Sequence, residues 1–250
     1  MADNCTSLES IYVGSNPPLN GPSITGSALE SLVNCRLLHT VSLKGCKKVD
    51  DEGVIALVSS SINLKQFRLT GSFRLSDASL NAIAQNCDHL EMADFSKCSK
   101  LSLAGVMELI CECRSLKELN FELCKGLTDL SDTMLPQKRP KTGEKETDTR
   151  ASDETINRDL ITEAMTYSDN RQEHSKIRIL NLKSCINLSK KSLPMIVPFC
   201  PNLAKLTFTT DMDNTVFDFY KNLFSQCPCL QELETAEKTI TRADIEIGKI

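Results

Sequence analysis

Apolar residues recur along the first half of the chain at a constant step of 26 residues. One column at this step consists of Leu38, Leu64, Leu90 and Leu116, and a second consists of Leu43, Leu69, Phe95 and Phe121. Further columns in the same register begin at Val41, Cys46 and Val49. Agreement between about a dozen columns over four units indicates an internal repeat, which has to be recognised before any other structural prediction is made.

Each repeat unit predicts a strand, a turn and a helix. The alternation in Val41–Leu43 has a period of two, which is typical of a short strand. Apolar residues at helical spacing follow in 53–58 and in the corresponding segments of the next two units. Asp51, Ser76-Asp77 and Thr128-Asp129 precede or begin these predicted helices, where their side chains can cap free backbone amides.

One such unit has too little apolar surface to fold alone, so neighbouring units must stack. Stacking predicts an α/β solenoid, or horseshoe, with a concave parallel sheet and convex helices. We count seven clear strand segments and a ragged one near Ile11–Val13. The last strand segment, Leu230–Leu233, is followed by 239–244, which we interpret as the beginning of another repeat turn.

The repeat is interrupted in the middle of the chain and resumes at Ile177, which lies 139 residues beyond Leu38. If four repeat units precede Ile177, about 35 residues are left over as an insertion. The alternative is five units, which leaves about nine extra residues and requires one unit to lack its strand motif. Residues 136–155 are polar and charged, which predicts a disordered insertion. Its segment Lys138–Lys141 resembles a minimal nuclear import signal, but a solvated basic loop is the simpler interpretation.

These observations divide the chain into four parts. Residues 1–23 form a ragged N-terminal segment or cap, and 24–135 carry the first repeats. The charged insertion, 136–155, separates them from 156–250, where we predict a delayed helix followed by further repeats.

Twelve cysteines are an unusual number for a chain of 250 residues. The N-terminus, Met1–Cys5, lacks the basic and apolar segments of a secretory signal peptide, so we expect a reducing compartment and free thiols. One cysteine column lies where the predicted strand turns, and its thiols can bond backbone groups of that turn. It comprises Cys46, Cys98, Cys124 and Cys185. A second column, Cys87, Cys113 and Cys200, lies in the return from helix to strand, where a small apolar residue fits.

This pattern resembles the cysteine-containing subclass of leucine-rich repeats over residues 35–129 and, with more drift, over 177–233. The stretches Cys46–Leu57 and Cys87–Leu90 are similar to the repeats of F-box substrate receptors and of the antagonist of mitotic exit network family. The resemblance implies a binding surface within ubiquitin-ligase or cell-cycle pathways. Residues 1–34 are too few for an F-box and contain Pro17-Pro18, so the F-box-free mitotic-exit type fits better.

Composition and motifs argue against several other function classes. The chain has a net charge of −4 and no Trp, so we expect neither direct nucleic-acid binding nor base-stacking platforms. Apolar runs long enough to span a membrane and glycine-rich phosphate loops are both absent from the sequence. His39, His89 and His174 align with no nucleophile, so we predict no enzyme and no cofactor.

Two cysteine pairs could suggest a zinc site, Cys111 with Cys113 and Cys227 with Cys229. Structural zinc sites usually have wider cysteine spacing and a second ligand pair. Because Cys113 belongs to a repeat column, we interpret both pairs as packing residues and predict no metal.

The concave strand face is the candidate binding site, because alternate strand residues point away from the core. Its charge along the stack is expected to be basic, then acidic, then basic. Such a pattern suits a protein of complementary charge, although exposed strand faces are often simply polar. The candidate residues are Lys44, Arg68, Asp94, Glu118, Asn120, Glu122, Asn181, Lys183 and Lys205.

The resemblance therefore predicts a cytoplasmic or nuclear adaptor or substrate receptor without enzymatic activity. Its expected partner is a protein bound on the concave face, either a ubiquitin-ligase subunit or a substrate, with no membrane contact. The alternative is a non-enzymatic subunit of a nuclear assembly such as a DNA-repair complex, which the resemblance also allows.

Overall fold

The computed structural model describes residues 5–14, 24–129, 175–209 and 216–248. The charged insertion at 136–155, the basic segment Lys138–Lys141 and the predicted delayed helix lie outside the described residues. The predictions made for them therefore stay predictions.

The predicted horseshoe is confirmed: within the described residues, nine strands follow one another in chain order in one open sheet. Strands β1 to β8 are parallel, and their register places Val41, Phe67, Ala93, Leu119 and Leu180 side by side. The strands are β1 (Ser10–Val13), β2 (Thr40–Lys44), β3 (Gln66–Thr70), β4 (Met92–Asp94), β5 (Glu118–Asn120), β6 (Ile179–Leu182), β7 (Lys205–Phe208), β8 (Glu232–Glu234) and β9 (Thr239–Thr241).

Helices follow most strands and pack against the helices of neighbouring units. They are α1 (Gly26–Glu30), α2 (Asp51–Ser60), α3 (Asp77–Asn86), α4 (Leu103–Glu112), α5 (Leu193–Ile196), α6 (Val216–Gln226) and α7 (Arg242–Glu246). Short 3₁₀ segments at Lys190–Ser192 and Val197–Phe199 flank α5. The repeated apolar columns are fully buried between sheet and helices, as their period predicts.

Aspartates at the helix starts join neighbouring repeats, which differs from the prediction for Asp51. Asp50, not Asp51, is the N-cap of α2 and accepts a hydrogen bond from the Gly53 amide at 3.3 Å. The Asp51 carboxylate reaches the next unit, where it accepts bonds from the amide and hydroxyl of Ser76 at 2.9 and 2.6 Å. It also accepts the hydroxyl of Ser79 at 2.5 Å. Each such carboxylate therefore satisfies polar groups at the start of the following helix.

The same contact recurs along the stack. Asp77 accepts bonds from the amide and hydroxyl of Ser102 at 2.8 and 2.5 Å. Asp129 accepts bonds from the amide and hydroxyl of Ser189 at 2.8 and 2.6 Å, and from the hydroxyl of Ser192.

The interruption of the repeat leaves no gap in the sheet. Strand β5 pairs directly with β6, so that Asn120 lies beside Asn181. The described sheet is therefore continuous across the interruption, and the choice between four and five units stays open.

The C-terminal end of the sheet differs from the prediction of another repeat turn at 239–244. Strand β9 pairs antiparallel with β8 and places Glu232 opposite Thr241. The short connection between the two strands explains this, because a parallel crossover needs about a dozen residues or more. Thr241 and Asp244 then form a capping box that begins α7.

Candidate functional site

The exposed face of the sheet consists of three rows of side chains, one from each outward position of the strands. The first row contains Thr40, Gln66, Met92, Glu118, Ile179, Lys205 and Glu232. The middle row contains Ser42, Arg68, Asp94, Asn120, Asn181, Thr207 and Glu234. The last row lies at the strand ends and contains Lys44, Thr70, Ser96, Glu122, Lys183 and Thr209. All nine candidate residues therefore share one face of the molecule.

Three of the nine candidates hold the turns that follow their strands. The Asp94 carboxylate accepts a hydrogen bond from the Ser96 amide at 2.9 Å. Asn120 and Asn181 accept the amides of Glu122 and Lys183 in the same way, at 3.0 and 2.9 Å. Their side-chain oxygens bond a backbone amide two residues on, so these residues support the backbone as well as contributing to the face.

The backbone explains why these turns need support. In five successive units, the residue three positions after the middle-row residue has a positive φ. In the first two of these units that residue is Gly45 and Gly71. The remaining three are Lys97, Leu123 and Ser184, with φ of 64°, 62° and 57°. A side chain strains this conformation, and only these three units carry the Asp or Asn that stabilises the turn.

Acidic residues dominate the centre of the face. Glu118 is exposed and Glu122 is half-buried, and both belong to the unit of β5. Within the described residues, neither carboxylate lies within salt-bridge distance of a basic group. We call Asp94, Glu118 and Glu122 the acidic centre.

The predicted basic end of the face is neutralised by two residues that the sequence analysis left out. Lys183 lies 3.3 Å from Glu234, and Lys205 lies 3.1 Å from Glu232 and 3.8 Å from Glu234. The hydrogen bond and charge of Glu232 raise the pKa of Lys205. The spacing of 27 residues at Leu230 could have located Glu232 and Glu234, because they flank the Leu233 of that unit. The expected basic, acidic, basic pattern is therefore wrong at its last step.

Several outward positions are less accessible than strand alternation predicts. Thr40, Ser42 and Thr207 are between 4% and 5% exposed, because neighbouring rows cover these short side chains. Longer side chains such as Glu118 extend beyond them. The charged side chains of this face are therefore more accessible than these three short ones.

The twelve cysteines form no disulfides, and the buried thiols of the turn column have a structural role. The thiols of Cys98, Cys124 and Cys185 each donate to a strand-end carbonyl of the preceding unit, Leu69, Phe95 and Phe121 respectively, at 3.1 Å. Burial raises the pKa of Cys98 to about 12, so it is a weak nucleophile and a weak metal ligand at neutral pH. Within the described ranges, no three His, Cys, Asp or Glu side chains are grouped so that they could hold a metal ion.

No helix in the described part of the chain combines the length and the apolar character that a membrane crossing requires.

Comparisons with known proteins agree with this geometry. Residues 34–58 match the family model for the leucine-rich repeat. F-box protein SKIP19 of Arabidopsis thaliana is 33% identical over 78 residues, which cover 31% of this chain and 26% of that protein. Putative F-box/LRR-repeat protein 21 of the same plant is 38% identical over 69 residues, which cover 28% of this chain and 22% of the relative. The matches therefore span only about a quarter of these relatives.

A solved structure extends the likeness to nearly the whole chain. The yeast complex of Rad7 and Elc1 contains a chain that matches 96% of this one with a TM-score of 0.60 and 20% identity, over 54% of its own length. Together with the parallel sheet and the repeated columns, these matches show a leucine-rich-repeat solenoid.

Proposed function

We propose that this leucine-rich-repeat protein is a non-enzymatic adaptor or substrate receptor that binds a basic segment of a protein partner at the acidic centre. The observation that carries this proposal is the contrast between two parts of one face. Lys183 and Lys205 are ion-paired within the protein, whereas the carboxylates of Glu118 and Glu122 face outward without a basic partner among the described residues.

The chemistry of the face supports a protein as the partner. Outward-facing carboxylates attract a cationic segment and orient it, and they raise the rate of encounter more than the affinity. Repeat solenoids generally bind along an extended concave surface of this kind.

The named relatives suggest where such binding is used. Both are F-box proteins, and the cysteine-containing repeats of this chain resemble the repeats of F-box substrate receptors. We therefore propose a role in ubiquitin-dependent protein degradation, in the cytoplasm or the nucleus, in which the acidic centre selects the protein to be degraded. The alternative is a stable subunit of a nuclear assembly.

Affinity purification of the tagged chain with quantitative mass spectrometry tests the proposal. Glu118→Lys combined with Glu122→Lys should reduce the recovery of a partner at least about tenfold, since two attractions become repulsions. Glu30→Lys combined with Glu246→Lys is the matched control, because it changes the net charge equally at exposed helix positions.

Three outcomes are informative. Ligase subunits in the wild-type purification support the role in degradation, whereas a nuclear complex without them supports the alternative. If the same partners are recovered with both double variants, the acidic centre is not the binding site.

A further inference from the structure

Seven exposed cations lie along one edge of the solenoid, where the strands end and the chain turns towards the helices. We call this row the basic edge. It comprises Lys44, Lys47, Lys48, Arg74, Lys97, Lys100 and Lys125. We propose that the basic edge is a second binding surface, which takes a short acidic segment of a protein with an apolar residue among its carboxylates.

The turns that carry these cations are stacked in contact with one another. The Gly45 amide donates to the Thr70 carbonyl at 2.7 Å, and the Lys97 amide donates to the Glu122 carbonyl at 2.8 Å. The Ser72 hydroxyl donates to the Cys46 carbonyl at 3.2 Å. The Gly71 amide links the two middle units by donating to the Ser96 carbonyl at 2.8 Å, so backbone contacts hold the turns of four successive units in one row.

The cations of this row lack acidic partners in the described part of the chain. None of the seven lies within 4.0 Å of a carboxylate there. Several nearby carboxylates are engaged: Asp50 caps α2, and Asp51 and Asp77 accept bonds from serines of the next unit. Glu52 is an exposed acid beside the row. The edge thus presents seven cations without an ion pair among the described residues, on a chain whose net charge is −4.

The dimensions of the edge favour a short peptide. Parallel strands are about 4.8 Å apart, so the three intervals between four units span about 15 Å, which an extended peptide of about five residues covers. Phe73 lies within the row, is 44% exposed, and has the Lys47 ammonium 6.0 Å from its ring centre. It offers one apolar contact among the charges.

The same features disfavour a nucleic acid. Six of the seven cations are Lys rather than Arg, whose planar fork suits phosphate better. Phe73 is the single aromatic residue in the four described turns, whereas strands of nucleic acid are usually held by several stacking platforms.

Fluorescence anisotropy of the purified chain with a labelled peptide of six acidic residues around one leucine tests the proposal. At about 0.15 M salt we expect saturable binding that weakens as salt increases. The triple variant Lys47→Glu, Lys100→Glu, Lys125→Glu should weaken binding at least about tenfold. The milder triple variant with Gln at these positions should weaken it in the same direction, and Phe73→Ala should reduce affinity by a few-fold.

The matched control reverses three exposed lysines away from the edge, Lys65→Glu, Lys176→Glu and Lys221→Glu. It gives the same net charge and should retain peptide binding. Equal losses in the two triple variants would show a general charge effect and overturn the proposal. Tighter binding of a labelled thymidine oligonucleotide than of the peptide would assign the edge to nucleic acid, and failure of the peptide to bind would also overturn it.

This surface is separate from the acidic centre. Glu118→Lys with Glu122→Lys should leave peptide binding intact or strengthen it, so the failure of either proposal can be recognised on its own.

Discussion

Replacing Asp51 by Ala should destabilise the protein far more than is usual for a partly exposed residue at the start of a helix. The carboxylate accepts three hydrogen bonds from the next unit, and one donor is the hydroxyl of Ser79, which is 0% exposed. A buried donor without an acceptor costs about 1–3 kcal/mol. Loss of the two bonds from the half-buried Ser76 adds about 1 kcal/mol each to this cost. The higher helix propensity of Ala reduces the total by about 0.5 kcal/mol. We expect a loss of about 3 kcal/mol in the free energy of unfolding.

Urea denaturation at pH 7 measures this loss, and Glu52→Ala is the matched control. Glu52 is the next residue of α2, is exposed and carries the same charge, so its replacement should change stability by about 0.5 kcal/mol or less. Equal stabilities of the two variants would refute the idea that Asp51 joins neighbouring units.

The pH dependence provides a second check. Burial raises the pKa of Asp51, but hydrogen bonds from Ser76 and Ser79 lower it by more, so the pKa lies below its ordinary value. A carboxyl whose pKa is lower in the folded state stabilises the protein above the unfolded-state pKa of about 4. The difference between wild type and Asp51→Ala should therefore be complete at pH 7, and it should disappear as the pH falls through the folded-state pKa.

Other changes test the turns and the buried polar groups. Lys97→Gly should stabilise the chain by up to about 1 kcal/mol in urea denaturation, because φ is 64° there and the strain relieved exceeds the entropy that Gly adds to the unfolded chain. Gly71→Ala should destabilise the chain by about 1 kcal/mol. The cause is the φ of +75° and not a steric clash, because the new Cβ would meet only Gly45, at 3.7 Å. A less stable Lys97→Gly variant or a more stable Gly71→Ala variant would contradict the strain argument. Ser61→Ala should raise the melting temperature, since this buried hydroxyl has no partner among the described residues, and a fall would show that it is satisfied. Iodoacetamide at pH 8 should alkylate exposed Cys229 but not buried Cys87, because burial raises the pKa of Cys87 to about 12. Mass spectrometry of the protein labelled in its folded state measures both, and equal labelling would contradict this prediction.

The repeat could be predicted because its signal is collective. Leu43, Leu69 and Phe95 occupy one column at a constant step, and their burial in adjacent strands follows from that period alone. The thiol contacts of Cys98 and Cys124 were predictable in the same way, since a polar hydrogen at the start of a buried turn needs an acceptor.

The contacts that a period does not encode had to come from the structure. The Asp51 carboxylate turns away from its own helix because the serine of the next unit provides better donors, and sequence spacing alone does not distinguish the two choices. One clue exists in the chain: Ser76 and Ser102 follow an aspartate by 25 residues, whereas Thr128 stands at the same distance from Leu103.

The candidate site was predictable as a face but not as a charge pattern. Strand alternation placed Glu118 and Lys205 on the same surface. Pairing of Lys205 with Glu232 depends on the distance between side chains of neighbouring strands. The turn roles of Asn120 and Asn181 follow from backbone torsion angles at Leu123 and Ser184, which no hydrophobic pattern reports.

The contacts at the junction between β5 and β6 bear on how far the protein tolerates a change in the length of the segment between them. Asp129 meets Ser189 there, and Cys185 meets the Phe121 carbonyl, just as corresponding residues do at continuous junctions. These contacts align the two halves through residues on either side of the interruption. Because the entropic cost of loop closure grows only slowly with length, by about 0.6 kcal/mol per doubling, we expect the alignment to survive a change in the number of residues between 129 and 175.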